Sequence, residues 1–244
     1  MKRWVWFAPL LALLAACVPN PVDLAVEHAI ETASERTMQV LPEAPLPLED
    51  DFEAYPSGAI LPVASPERYR LWKDCDGRLD WAYVVETVGP NNITEKAAAV
   101  EYPCSWGGRM HALFTGAEDW ENYRAEIIFK TADDQWWVYL NANNNLSRAY
   151  VLEVYGQSAT LYKQIGDERT AVARRDISGS YNDGAWHTLV AEARSDGVRI
   201  TVDGEVFVDY PDNDPAFAHG GFGIQASRYR RRFLISRWTF APLP

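Results

Sequence analysis

Cysteine, histidine and positive charge are all scarce in this chain. Three Cys and four His are scattered over 244 residues, and no set of them stands at the spacing of a zinc site. Lys and Arg number 23 against 34 Asp and Glu, a formal charge of -11. That balance argues against nucleic acid, whose binding rests on cationic groups displacing counterions from phosphates. The longest apolar run, Trp4 to Ala16, is about a dozen residues, short of the roughly 20 that cross a bilayer as a helix. The chain also has no Gly-x-Ser-x-Gly elbow, no His-Glu-x-x-His pair and no phosphate-binding loop. Nor does it repeat at solenoid or propeller length.

The N-terminus carries the first positive signal. Lys2 and Arg3 precede the apolar run, which ends in Leu14-Ala15-Ala16-Cys17. A charged start, a short apolar core and small residues before a cut describe a secretory signal peptide over residues 1–16. Small residues followed directly by Cys resemble the lipobox of bacterial lipoproteins. That resemblance implies cleavage before Cys17, with acyl chains such as palmitate on its thiol and its new amino group. The mature chain would carry 21 basic against 34 acidic residues, a formal charge of -13. An anionic membrane surface would repel it, so lipid and not charge is expected to hold it there. Val18 stands where Asp is associated with inner-membrane retention, so the expected address is the outer membrane of a bacterial envelope. In that oxidising compartment Cys75 and Cys104 read as a disulfide. It would close a loop of about 30 residues, worth roughly 3–4 kcal/mol.

Residues 17–47 read as a tether. Residues 22–38 could form a short amphipathic helix with Leu24, Ala25, Ile30 and Ala33 on its apolar face. Pro42, Pro45 and Pro47 then stiffen an extended linker. Residues 48–241 read as one all-β sandwich. Strands are expected at Trp81–Val88, Met110–Thr115, Tyr123–Phe129, Trp136–Leu140, Ala149–Tyr155 and Thr160–Gln164. Trp186–Arg194 should lead through Asp196-Gly197 into Val198–Val202, and Asp203-Gly204 into Glu205–Tyr210, because Asp-Gly favours the tight hairpin turn. Phe222–Ala226 and Phe233–Phe240 close the chain.

The order of these pieces resembles a concanavalin-like jelly roll, the fold of laminin-G-like domains, legume-type lectins and laminarinase-type hydrolases. The resemblance rests on Leu48-Glu49-Asp50-Asp51-Phe52, on Tyr123-Arg124-Ala125-Glu126, and on Asp183-Gly184-Ala185-Trp186-His187-Thr188-Leu189. It rests also on Val202-Asp203-Gly204-Glu205 and Gly220-Gly221-Phe222-Gly223-Ile224. In pattern it is similar to 3-keto-disaccharide hydrolase-like domains. The resemblance implies two antiparallel sheets behind the signal peptide and a short, partly helical linker. Trp186 is expected to anchor the core, with His187 on the opposite strand face. A structural calcium is common in this superfamily, and Asp51 could serve it. Ile235-Ser236-Arg237 stands where relatives often read Phe-Asp-Asn, and loss of that acid argues against the site. No cofactor is expected.

Binding is better supported than catalysis. A retaining glycosidase needs two carboxyls roughly 5 Å apart, and the Glu-x-Asp-x-x-Glu spacing of laminarinase-type enzymes is missing. Glu126 and His111 are the weak acid/base candidates. Alternation places Trp137 and Tyr139 on one strand face, with Trp136 and Val138 opposite. With Tyr150 and Glu153 of the next strand and Arg148 of the loop before it, these residues make a candidate glycan site, rings for sugar faces and polar groups for hydroxyls. Arg228, Arg230, Arg231 and Arg232 form a candidate anion site. The function expected is recognition of a carbohydrate or envelope glycan. A sugar-processing hydrolase and a structural or protein-interaction module are the alternatives.

Overall fold

The computed structural model describes residues 45–72, 82–101, 112–143, 146–179, 181–227 and 232–244. The expected signal peptide, Cys17, most of the expected tether, Cys75, Cys104, His111, Arg228, Arg230 and Arg231 lie outside the described residues. Among the described residues, no helix is long and apolar enough to cross a membrane.

Two antiparallel sheets face each other. The first joins β1 (Leu48–Asp50), β3 (Ala82–Val88), β4 (Thr94–Glu101), β6 (Tyr123–Thr131), β11 (Trp186–Arg194), β12 (Gly197–Val202), β13 (Glu205–Pro211) and β15 (Arg232–Pro242). Its order is β13-β12-β11-β6-β15-β4-β3, with β1 on β15. The second joins β2 (Arg70–Trp72), β5 (Ala112–Thr115), β7 (Gln135–Ala142), β8 (Arg148–Tyr155), β9 (Ser158–Ile165), β10 (Glu168–Asp176) and β14 (Gly221–Ala226). Its order is β10-β9-β8-β7-β14-β5-β2. One helical turn, α1 (Leu61–Ala64), crosses between β1 and β2.

Period-2 alternation builds the core. Tyr123, Ala125, Ile127 and Phe129 of β6 and Leu189, Ala191 and Ala193 of β11 point between the sheets, where they meet Trp136, Val138 and Leu140 of β7. In β15 the register shifts between Ile235 and Arg237. This bulge buries Ser236, brings Trp238 and Phe240 back into the core, and turns Arg237 outward to an ion pair with Glu49.

The Asp203-Gly204 hairpin forms as expected, both residues at positive φ, 49° and 81°. The first hairpin is one residue out of place. Arg194 pairs with Gly197, so Ser195-Asp196 make the turn and Gly197 sits inside the ladder. A Cβ on Gly197 would lie 2.2 Å from the Tyr210 carbonyl oxygen. Trp186 also departs from expectation. Its ring lies on the solvent side of β11, Nε1 donating to the Val88 carbonyl at 3.0 Å. His187 is the inward residue, with Nδ1 2.7 Å from Asp203 and Nε2 3.1 Å from Asp183. β2, β4 and β10 are not among the strands expected from the sequence.

Candidate functional site

The register of the seven-stranded sheet sorts the expected site residues onto two faces. Directly paired residues share a face, and Trp137 pairs with Glu153 while Leu140 pairs with Tyr150. Trp137, Tyr139 and Glu153 therefore stand together on the outer face. Tyr150 points the other way, into the space between the sheets. Its ring centroid is 4.9 Å from that of Phe217, and its hydroxyl donates to Asp212 at 2.7 Å. Arg148 is on Tyr150's side of β8, one guanidinium nitrogen 3.5 Å from the His219 carbonyl. Neither belongs to the aromatic face, and both leave the candidate site.

The outer face has a layered construction. One row across the sheet reads Thr160, Glu153, Trp137, Gln225, and the next reads Tyr162, Val151, Tyr139, Gly223, Phe114, Arg70. Gly223 has a physical reason: a Cβ there would lie 2.4 Å from the Phe114 ring. Without it, Phe114 lies across the sheet beside Tyr139, ring centroids 5.4 Å apart. Phe114, Tyr139, Val151 and Leu146 are buried in this second apolar cluster, and Trp137 and Tyr162 pack on it partly exposed. The lower layer is structural support; the upper rings meet solvent.

Polar groups frame those rings. Glu153 accepts from Gln135 Nε2 at 2.7 Å and from the Tyr162 hydroxyl at 3.1 Å. Gln225 accepts from the Tyr139 hydroxyl. Arg169 reaches over from β10 to donate to Gln164 at 2.8 Å and to the Tyr139 hydroxyl at 3.4 Å. Burial pushes the Tyr139 phenol up to about 12, with Arg169 pulling the other way. The Trp137 Nε1 hydrogen is buried with no acceptor, an unusual state for a buried donor.

The other candidates are not brought to this face. Glu126 lies on the solvent side of the eight-stranded sheet, its carboxylate 3.2 Å from Arg124. A Glu126-centred acid/base site is therefore on the wrong side of the sandwich from the aromatic rings, and His111 is outside the described residues. Arg232 is a bonded strand residue, Nε 2.6 Å from Glu101, which removes it from a free anion patch. Asp51 is exposed and accepts from the Glu53 amide at 3.1 Å. It is Asp50 that is buried, accepting from the Tyr69 and Tyr55 hydroxyls. Among the described residues no group of three or more His, Cys, Asp or Glu is arranged to hold a metal ion.

Phe114, Gln135, Tyr162, Gln164, Arg169, Gln225 and Arg70 are members of the face that sequence reasoning missed. Alternation within the expected Thr160–Gln164 strand carried a signal for Tyr162 and Gln164; the others depend on pairing between distant strands.

No protein-family model matches the chain, and no curated protein matches it. Solved structures do share its fold. A GH16 protein of the Bacteroides ovatus mixed-linkage glucan PUL superposes with a TM-score of 0.54 at 9% identity, over 79% of this chain and 99% of that one. An endo-β-1,3-glucanase from Pyrococcus furiosus gives 0.50 at 11%, over 79% and 92%. LamAcat from Zobellia galactanivorans gives 0.50 at 10%, over 84% and 99%. The fold is a concanavalin-like jelly-roll sandwich. At these identities the likeness is one of architecture, which by itself hosts many functions.

Proposed function

We propose that this protein recognises a glycan, without cleaving it, on the outer face of the seven-stranded sheet. The observation that carries the reading is the row Glu153–Trp137–Gln225. A partly exposed indole stands on a buried aromatic layer, with a fixed carboxylate on one side and a carboxamide on the other. A flat ring suits the C–H face of a sugar, and the flanking groups set its orientation. The shared architecture of proteins named for their glucans supports the same class of ligand.

The absence of turnover rests on the carboxylates. On the outward positions of β5, β7, β8, β9 and β14, Glu153 is the single acid. Both of its oxygens are engaged, and a retaining mechanism needs a second carboxyl roughly 5 Å away. A lipid on Cys17 and an outer-membrane address complete the proposal, resting on the lipobox-like N-terminus. Replacement of Cys17 by Ser should abolish palmitate labelling and release the protein from membranes.

The test titrates the full-length protein against a panel of neutral and acidic oligosaccharides while following tryptophan fluorescence. Saturable quenching by one sugar class, lost in Trp137→Ala with the fold intact and without release of shorter sugars, is the expected result. Product release would move the reading to a hydrolase; a silent panel would move it to a structural or protein-binding module.

A further inference from the structure

On the aromatic face, Glu153 is engaged by Gln135 and Tyr162, and Arg169 by Gln164 and the Tyr139 hydroxyl. Arg70 pairs in register with Phe114 and so stands on the same face, half-buried. It has no ion-pair partner among the described residues, and burial alone pulls its pKa down to about 10. Arg68 has Asp50, Arg124 has Glu126 and Glu192, Arg232 has Glu101 and Arg237 has Glu49. Arg148 also lacks a carboxylate among the described residues, but it lies on Tyr150's side of β8 and not on this face.

The Arg70 cation selects among sugars. A neutral sugar presents hydroxyls that both donate and accept, whereas a carboxylate or sulfate only accepts and carries the opposite charge. The guanidinium fork matches either group. Leaving a cation half out of water without a counter-charge is costly, and such a ligand would supply that charge. We infer that the face takes a glycan bearing anionic oxygen groups, uronate carboxylates or sulfate esters, with Arg70 as the cation that receives them. This rests on the glycan reading above and narrows its ligand class.

The experiment uses the full-length protein and three probes: hexagalacturonate, its fully methyl-esterified counterpart and a sulfated galactan hexasaccharide. Binding is followed by tryptophan fluorescence at low and high salt. At least one anionic probe should bind ten-fold or more tightly than the ester, and which one does so separates carboxylate from sulfate. Arg70→Gln should bring that affinity to within about threefold of the ester's and remove its salt dependence, with Arg70→Lys in between. Because Arg70 has no ion pair to lose among the described residues, the melting temperature of Arg70→Gln should stay level or rise. A fall of several degrees would mark Arg70 as a structural member and overturn the inference. Equal affinity for acid and ester, or an Arg70→Gln variant that binds like the wild type, would overturn it and leave the glycan reading standing. No saturable quenching by any probe would overturn both.

Discussion

The two outer faces of this sandwich are built from the same strand alternation and have opposite characters. On the eight-stranded sheet, Arg124 lies between Glu126 and Glu192, Arg237 meets Glu49, and Arg199 and Arg194 share Asp209. Donors and acceptors are mostly matched and wet, although Arg194 Nε and Glu95 Oε1 are buried without a hydrogen-bond partner among the described residues. On the seven-stranded sheet, rings replace charges, a second apolar cluster is buried, and Arg70 is half-buried with no ion pair among the described residues. Buried aromatic surface beside an unpaired cation separates the faces where shape points the other way: depressions of about 330 and 240 Å³ lie on the eight-stranded side, lined by Arg124, Glu192 and Arg199 and by Glu126 and Arg237.

The sharpest test lies in two adjacent residues. Trp136 is buried against Phe129 and Phe233, and Trp137 is on the outer face. Trp136→Ala should lower unfolding free energy by about 3–5 kcal/mol, as for a large aromatic removed from a core. Trp137→Ala should cost far less in urea denaturation, yet weaken glycan binding about thirtyfold or more, the loss of a central anchor worth about 2 kcal/mol. If the two variants lost stability equally, the outer face would be core and nothing else.

Gly223→Ala asks whether the supporting layer matters. The added methyl would push on the Phe114 ring, and overpacking of this kind costs about 1–3 kcal/mol. The melting temperature should fall, and binding should weaken beyond what the loss of folded protein explains, because Phe114 and Tyr139 carry the rings above. Unchanged binding in the folded fraction would show that Trp137 needs no such support.

How far the sequence carried this picture depended on distance along the chain. Alternation put Trp136 and Trp137 on opposite faces, and that stands. Which ring went inward was not legible, since both are indoles; it was settled by the facing Phe129 and Phe233. Tyr150 stands in the strand that follows Tyr139's, but the β7–β8 register pairs it with Leu140 and sends it inward. Arg70, Phe114 and Gln225 come from β2, β5 and β14, which meet only through non-local pairing. β4 carries Ala97-Ala98-Ala99, a run with little intrinsic strand preference, yet its central place between β3 and β15 overrides propensity. Trp186-His187 was read with the wrong residue inward. The Asp183 and Asp203 carboxylates that satisfy an inward imidazole come from two turns, and their approach is a tertiary fact.

Acid tests the carboxylates that already have partners. Glu205 is held below the usual carboxylate range by the Ser178 hydroxyl and amide. Burial raises the pKa of Asp212, but the Lys163 ammonium and the Tyr150 hydroxyl outweigh it and leave the group depressed. Unfolded, such groups titrate near about 3.9 for Asp and 4.3 for Glu. Their contribution is therefore complete above those values and is lost as pH falls through the lower folded values. Thermal melts from pH 6 to 3 should show falling stability. Glu205→Gln with Asp212→Asn should flatten that fall. An unflattened profile would place the acid sensitivity elsewhere.

The smallest expected effect bears most directly on the comparison. Arg124→Ala and Arg237→Ala each break an ion pair on the eight-stranded face, where the arginine side chains are 43% and 53% exposed. Pairs so exposed gain little Coulomb energy and lose side-chain freedom, so each variant should change stability by less than about 1 kcal/mol. Neither should alter glycan affinity, since both residues lie on the sandwich face away from Trp137. They carry the same formal charge as Arg70, so the pair also controls for net charge. If either weakened binding of an acidic oligosaccharide as Arg70→Gln does, the effect would be one of the overall field of a negative chain. If both are silent while Arg70→Gln is not, then the effect belongs to the seven-stranded face and not to the net charge of the chain.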